Sequence, residues 1–155
     1  RRLKQCEKEK LTFLKLSNTE LKKIYAFINE CREERNMSLS MTYEELDRVV
    51  EKFPNEFFLF GVFKEDELMA AVISIQVSQT ILYNFYPAHK KAFDQLSPMV
   101  FLLDNQYKFC QAAGIQILDL GTSALDNKTN FSLLNFKTQV GGIASLKLVF
   151  EKELN

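Results

Sequence analysis

Between residues 57 and 86 three apolar runs follow one another with short polar breaks. Phe57 to Phe63 is the first, Leu68 to Val77 the second and Ile81 to Tyr86 the third. Lys64-Glu65-Asp66-Glu67 and Ser78-Gln79-Thr80 separate them. Runs of this length, rich in Phe, Val, Ile and Tyr and bounded by polar turns, read as strands. Joined by connections this short, consecutive strands have to run antiparallel. A three-stranded meander is therefore the centre that the rest of the chain must build around.

Upstream, Leu11 to Leu16 alternates weakly and stops at Ser17-Asn18, the pattern of a short strand. Asn18 or Thr19 is placed to cap a helix running to about Arg35, with Leu21, Ile24, Tyr25, Ile28 and Cys31 on one face. Thr42, with Glu45 three residues later, predicts a capping box and a helix ending near Phe53-Pro54, its inner face Leu46, Val49 and Val50. Downstream, Pro87 predicts the end of the meander and an irregular stretch from Ala88 to Leu96. Ser97-Pro98 supplies an N-cap and a first-turn proline for a helix that carries Val100, Phe101, Leu103, Tyr107 and Cys110 to Gly114. Ile115 to Leu120 reads as a strand, Asn130 to Lys137 as a short helix and Leu146 to Glu151 as a last strand. The class is mixed α and β.

Composition narrows the function. The 155 residues suggest one domain, large enough to bury roughly 68–70% of its unfolded surface. Twenty basic residues balance twenty acidic ones, which argues against DNA or an anionic membrane as the main partner. Cys6, Cys31 and Cys110 are far apart and lack Cys-x-x-Cys spacing, so they read as reduced cytosolic thiols and not as a zinc site. His89 is the single histidine; a multi-histidine metal centre is ruled out, and no convincing nucleophile–base pair is in view. No apolar run reaches the roughly 18 residues of a membrane span, and the charged start is no signal peptide. The expectations are a cytoplasmic location, no membrane insertion and no metal.

Certain residues narrow it further. Tyr83-Asn84-Phe85-Tyr86, Ser97-Pro98, Gly114, Asp119-Leu120-Gly121 and Phe136-Lys137 followed by Gly141-Gly142 occur in an order and spacing that resembles the GNAT acyltransferase superfamily. More narrowly, they resemble its branch allied to the Fem-type peptidoglycan-bridge aminoacyltransferases. The resemblance covers about residues 17 to 151. It implies an α+β fold with a mixed, mostly antiparallel central sheet flanked by helices. Residues 1–16 would be an N-terminal segment with a short strand, and 17–155 a single GNAT-like domain. A start at Arg1 suits the C-terminal half of a longer tandem protein, since Fem-type proteins often carry two such domains. The implied activity moves an acyl or aminoacyl group from a thioester or aminoacyl donor to an amine by direct attack. Acyl-CoA or acetyl-CoA is the implied donor, aminoacyl-tRNA the alternative, and a small-molecule or other amine-bearing acceptor the partner. The segment from His89 to Leu96 has no glycine, unlike the phosphate loop of coenzyme-A-using members. A non-catalytic GNAT-like domain, serving as a structural or ligand-binding half of a tandem protein, is the competing reading.

Site residues follow from the same likeness. Ser97, Met99 and Val100 open the helix whose N-terminus would face the donor's phosphates, where free N–H groups and the helix dipole favour anions. His89 and Lys90 precede it, either as ordinary loop residues or as phosphate contacts. Lys137 either ends its helix as a dipole-complementing cation or stabilises the developing oxyanion. Period two places Tyr83 and Tyr86 on opposite faces of their strand, one in the core and one toward the cleft as proton donor. Asp119 ends a strand, where it is expected to bond its own loop through Ser123 or to act as base on the amine.

Overall fold

The computed structural model describes residues 1–125, 128–146 and 152–153. Helix α1 (Arg2–Lys8) and strand β1 (Leu11–Leu16) come first, then a 3-10 turn, α2 (Leu21–Glu33) and α3 (Tyr43–Lys52). The meander is β2 (Phe57–Lys64), β3 (Glu67–Ser78) and β4 (Ile81–His89). A second 3-10 turn over Lys91–Leu96 leads into α4 (Pro98–Ala112) and β5 (Ile117–Asp119). One sheet runs in the order β1-β2-β3-β4-β5, antiparallel throughout except that β5 lies parallel to β4. Residues 122–155 pack as a separate unit, with the hairpin β6 (Ala124–Leu125) and β7 (Lys128–Thr129) and helix α5 (Phe131–Gln139). The fold is the expected α+β arrangement. Helix α1 was not foreseen, because Leu3 and Cys6 alone give no readable period. The strand expected over 146–151 lies, from 147 on, outside the described residues.

One sheet face carries α2 and α3. Leu21, Ile24, Phe27, Ile28 and Cys31 of α2, with Leu46 and Val50 of α3, pack on Leu59, Ala71, Ile73, Tyr86 and Ala88. Each fully buried Leu or Ile contributes about 1.5–3 kcal/mol. On the other face α4 buries Leu102, Leu103, Gln106 and Cys110. The cysteines sit one each in α1, α2 and α4, all buried and unbridged. Burial pushes the Cys31 thiol up to about 11.

Helix ends follow the sequence closely. Thr42 Oγ1 accepts from the Glu45 N–H at 3.2 Å, and Glu45 Oε2 accepts from the Thr42 N–H at 2.8 Å, so the capping box closes. The first cap differs. Ser17 Oγ accepts from the Thr19 N–H at 3.3 Å, ahead of the 3-10 turn, while the Asn18 amide donates to the Pro54 carbonyl at 2.9 Å. Helix α4 ends at Gly114 (φ +72), with the Ile115 N–H donating back to the Cys110 carbonyl at 2.9 Å.

Two expectations about β4 need correction. The strand does not end at Pro87 but runs through it to His89, pairing Pro87 with Val72 and His89 with Ala70. The reason is that β5 covers only Ile81 to Tyr83; among the described residues no strand lies on the far side of β4 from Asn84 on. The Pro87 carbonyl turns to that side, where Arg32 Nη2 donates to it at 3.2 Å. A residue's nitrogen and carbonyl face the same neighbour, so the missing N–H of Pro87 breaks no ladder bond. Arg35 Nη1 donates to the His89 carbonyl at 2.9 Å. Two guanidinium groups thus stand where another strand would be.

The second correction concerns the tyrosines. The β3–β4 register pairs Ile73 with Tyr86 and Ser74 with Asn84, skipping Phe85. This bulge cancels one step of the alternation. Tyr83 and Tyr86 therefore share the α2 face, opposite Ile75 and Ile73, instead of facing apart.

Two outcomes follow. Thr42→Ala should cost about 1 kcal/mol and lower the melting temperature by roughly 2–4 °C, with Thr42→Ser close to wild type. His89 Nε2 lies 2.8 Å from Asp94 Oδ1 and 3.3 Å from Arg35 Nη2. Burial lowers its pKa from the usual 6.5, Asp94 opposing the shift and Arg35 adding to it. The unfolded chain therefore takes up this proton first, and stability falls as pH drops below about 6.5. Comparing melts at pH 7.5 and 5.5, His89→Gln should show the smaller loss; an equal loss would exclude His89 as the source.

Candidate functional site

Strands β4 and β5 separate just past the pair Tyr83↔Asp119. Asp119 Oδ1 accepts from the Gly121 N–H at 2.8 Å, a turn that leads the chain off the sheet. An Asp side chain reaches the N–H two residues on directly. Gly121 has φ +76, and a Cβ built there would lie 3.4 Å from Tyr83 Cε2 and 3.6 Å from the Asn84 carbonyl oxygen. The departing chain thus passes close to the point of separation. Beyond it, among the described residues no strand pairs with this edge of β4 from Asn84 to Tyr86, the stretch that carries the bulge. Backbone N–H groups on such an edge can donate to a carbonyl or to the oxyanion it becomes.

An aromatic row lines the same stretch. The Tyr83 and Phe85 rings lie 6.1 Å apart, and those of Phe85 and Tyr86 stack at 3.9 Å. Tyr86 is buried, and its hydroxyl shares a 2.5 Å hydrogen bond with Ser40 Oγ. Tyr83 is half-buried. Of the two tyrosines brought together here, Tyr83 is the more accessible.

The remaining predicted residues fall into separate groups. Ser97 heads α4, yet it has left-handed backbone (φ 51, ψ 48) and its side chain caps nothing. A capping serine is normally extended, which aims its hydroxyl at the first free N–H groups; here the carbonyl serves instead, accepting from Val100 N–H at 3.0 Å. Ser97, Met99 and Val100 are half-buried, and Cys6 Sγ of α1 donates to the adjacent Leu96 carbonyl at 3.2 Å. His89 and Lys90 sit at the end of β4 and are tied toward α2. Lys90 Nζ lies 3.7 Å from Glu30 Oε1 and 5.9 Å from the Phe27 ring centroid. Lys91 bonds the Glu34 carbonyl and side chain. Lys137 belongs to the second unit, in the last turn of α5, where its Nζ donates to the Thr122 carbonyl at 2.6 Å. Its own carbonyl accepts from the Gly142 N–H at 2.8 Å, and Thr138 O from Gly141 N–H at 3.1 Å, with Gly141 at φ +95. This is a Schellman end, the helix-terminating role of that lysine and glycine pair.

Other residues escaped the sequence reading. Ser74, Asn84 and Gln106 are buried and bonded to one another beneath the bulge. The signal was present as polar residues inside apolar periods, Asn84 between Leu82 and Tyr86 and Gln106 between Leu103 and Cys110. Arg32 carries a buried Nε with no hydrogen-bond partner among the described residues, and burial lowers its pKa. Among the described residues no His, Cys, Asp and Glu group is arranged to hold a metal, and no helix is long and apolar enough to cross a membrane.

No curated protein matches the chain. An aminoglycoside acetyltransferase from an uncultured soil metagenomic sample, solved with sisomicin, is similar at 18% identity and TM-score 0.66, over 94% of this chain and 97% of that one. AAC(6')-Iy, solved with the bisubstrate analogue CoA-S-monomethyl-acetylneamine, is similar at 8% identity and TM-score 0.68, over 94% and 99%. The aminoglycoside 6'-N-acetyltransferase AAC(6')-Ih from Acinetobacter baumannii gives 9% and 0.67, over 94% and 99%. At such identities the likeness is one of fold. The family described as "Acetyltransferase (GNAT) domain" matches residues 1–129, a stretch that includes α1 and β1. The chain belongs to the GNAT acetyltransferase family.

Proposed function

We propose that this protein transfers an acetyl or other short acyl group from coenzyme A to the amine of a small molecule, in the gap where β4 leaves β5. The observation that carries the reading is the separation after Tyr83↔Asp119 with the bulge at Phe85. A thioester lying in the gap would accept hydrogen bonds at its carbonyl oxygen from the open edge of β4. The amine attacks that carbon directly, so a new N–C bond forms as the C–S bond breaks. Tyr83 gives its phenol proton to the leaving thiolate, and the amine's surplus proton passes to water. Ser97, Met99 and Val100 take the donor's phosphates at the start of α4, with His89 and Lys90 flanking them. Lys137 serves as the cation for the developing oxyanion. The coenzyme-A and aminoglycoside complexes of the similar proteins support both the donor and an amino-sugar acceptor.

A second reading has its own observation. The turn over Lys91–Leu96 has no glycine, and Lys90 is paired with Glu30. Those features suit a Fem-type domain with an aminoacyl-tRNA donor, or a non-catalytic half of a tandem protein, in which residues 17–155 would form the C-terminal domain.

The test is acetyl-CoA binding by thermal shift together with thiol release in the presence of aminoglycosides and simple primary amines. A rise in melting temperature that grows with acetyl-CoA, plus amine-dependent thiol release, is the expected result. Neither effect with any amine would leave the second reading. Tyr83→Phe should lower kcat about a hundredfold. Tyr86→Phe should cost about 1 kcal/mol of stability, by leaving Ser40 unpaired, and leave kcat within about twofold. Lys137→Ala should lower kcat about tenfold or more; unchanged kcat with slightly reduced stability would assign it only the helix end.

A further inference from the structure

The polar side chains buried among the described residues are Ser74, Asn84 and Gln106. They form a closed ring. Ser74 Oγ donates to Asn84 Oδ1 at 2.8 Å, and Asn84 Nδ2 donates to Gln106 Oε1 at 2.9 Å. Gln106 Nε2 donates back to Asn84 Oδ1 at 3.0 Å and to Ser74 Oγ at 3.2 Å. Such a ring gains little stability over three apolar residues of the same size, because each amide gives up its water to enter it. Its location suggests what it does instead.

Each member sits at a break in the pattern. Ser74 is the β3 residue at which the register shifts, and Asn84 is the β4 residue beside the skipped Phe85. Asn84 is also the first β4 residue past the pairing with β5. Gln106 reaches both from α4, the helix that opens at Ser97. A bulge moved by one residue would turn Phe85 into the site of Asn84 and change which N–H groups face the gap. Apolar packing tolerates such a slip. A ring of three complementary donors and acceptors does not.

We propose that Gln106, acting through Asn84, is a positioning residue for acyl transfer: the ring fixes the bulge at Phe85 and so aims the backbone donors of β4 into the gap. This rests on the acyl-transfer reading, whereas the claim that the ring fixes the bulge can be measured without it.

The test separates position from stability. Gln106→Met leaves the Asn84 Nδ2 donor buried without its acceptor, so the melting temperature should fall. The triple variant Ser74→Ala, Asn84→Leu, Gln106→Met removes every polar member and should recover most of that loss. The expected result is a recovered melting temperature with hydrogen exchange along the β3–β4 pairing that flanks the bulge about tenfold faster than wild type, and kcat lower by about ten- to a hundredfold. Wild-type exchange and wild-type kcat in a stable triple variant would overturn the proposal. Ser74→Ala alone opens the ring while both amides stay paired; it is the version read if the triple variant does not fold, with the same changes expected in smaller degree and their absence equally fatal. If wild type transfers no acyl group to any amine but β4 exchanges faster in the variants, the acyl-transfer reading falls and the fixing of the bulge stands.

Discussion

An unpaired strand edge inside a sheet is a costly thing to keep, and β4 has one. Its outer side is covered by β5 only from Ile81 to Tyr83; every backbone group beyond that needs another partner or a reason to be open. Arg32 and Arg35 satisfy the carbonyls of Pro87 and His89. Proline at 87 removes a donor that would face no strand among the described residues. Among the described residues, no strand covers the short stretch from Asn84 to Tyr86, where the bulge lies. The helices, the departing turn at Gly121 and the polar ring under Asn84 all converge on that stretch.

The fold was largely legible because local rules and tertiary packing agreed. Alternation and turn chemistry gave the meander, and Thr42 with Glu45 announced a cap that closes as read. The misreadings have specific causes. Pro87 is a strand breaker only where its N–H is needed by a neighbour, and sequence does not say which edges are free. Period two misplaced Tyr86 because a bulge is a property of two strands in register, invisible in either alone. Ser97 was a good cap by residue type, but its left-handed backbone denies its side chain that role. Helix α1 is held by Cys6 against the turn before α4, a long-range contact that no window of ten residues contains.

The candidate site was legible only in outline. The motif residues Tyr83 to Tyr86 and Asp119 to Gly121 do meet at one place, where β4 and β5 part. Their chemistry, though, lies as much in the backbone geometry they permit as in their side chains: Gly121 for a φ of +76, Asp119 to hold the turn, Asn84 to anchor the ring. The Phe136-Lys137 and Gly141-Gly142 pairs likewise find a physical meaning first as a helix end, with the lysine amine on the Thr122 carbonyl. A motif recognised as functional can thus be conformational in its immediate cause.

The cysteines have a use that their inertness makes possible. Cys6, Cys31 and Cys110 mark three different helices, each thiol buried and each pKa raised chiefly by that burial. A thiol in such a setting reacts with an alkylating reagent only when its helix lifts from the sheet or from its neighbour. Alkylation rates at the three positions would therefore act as three clocks, timing the detachment of α1, α2 and α4 separately. The clock at Cys6 would keep time for the turn that opens α4, with no label added and no residue changed.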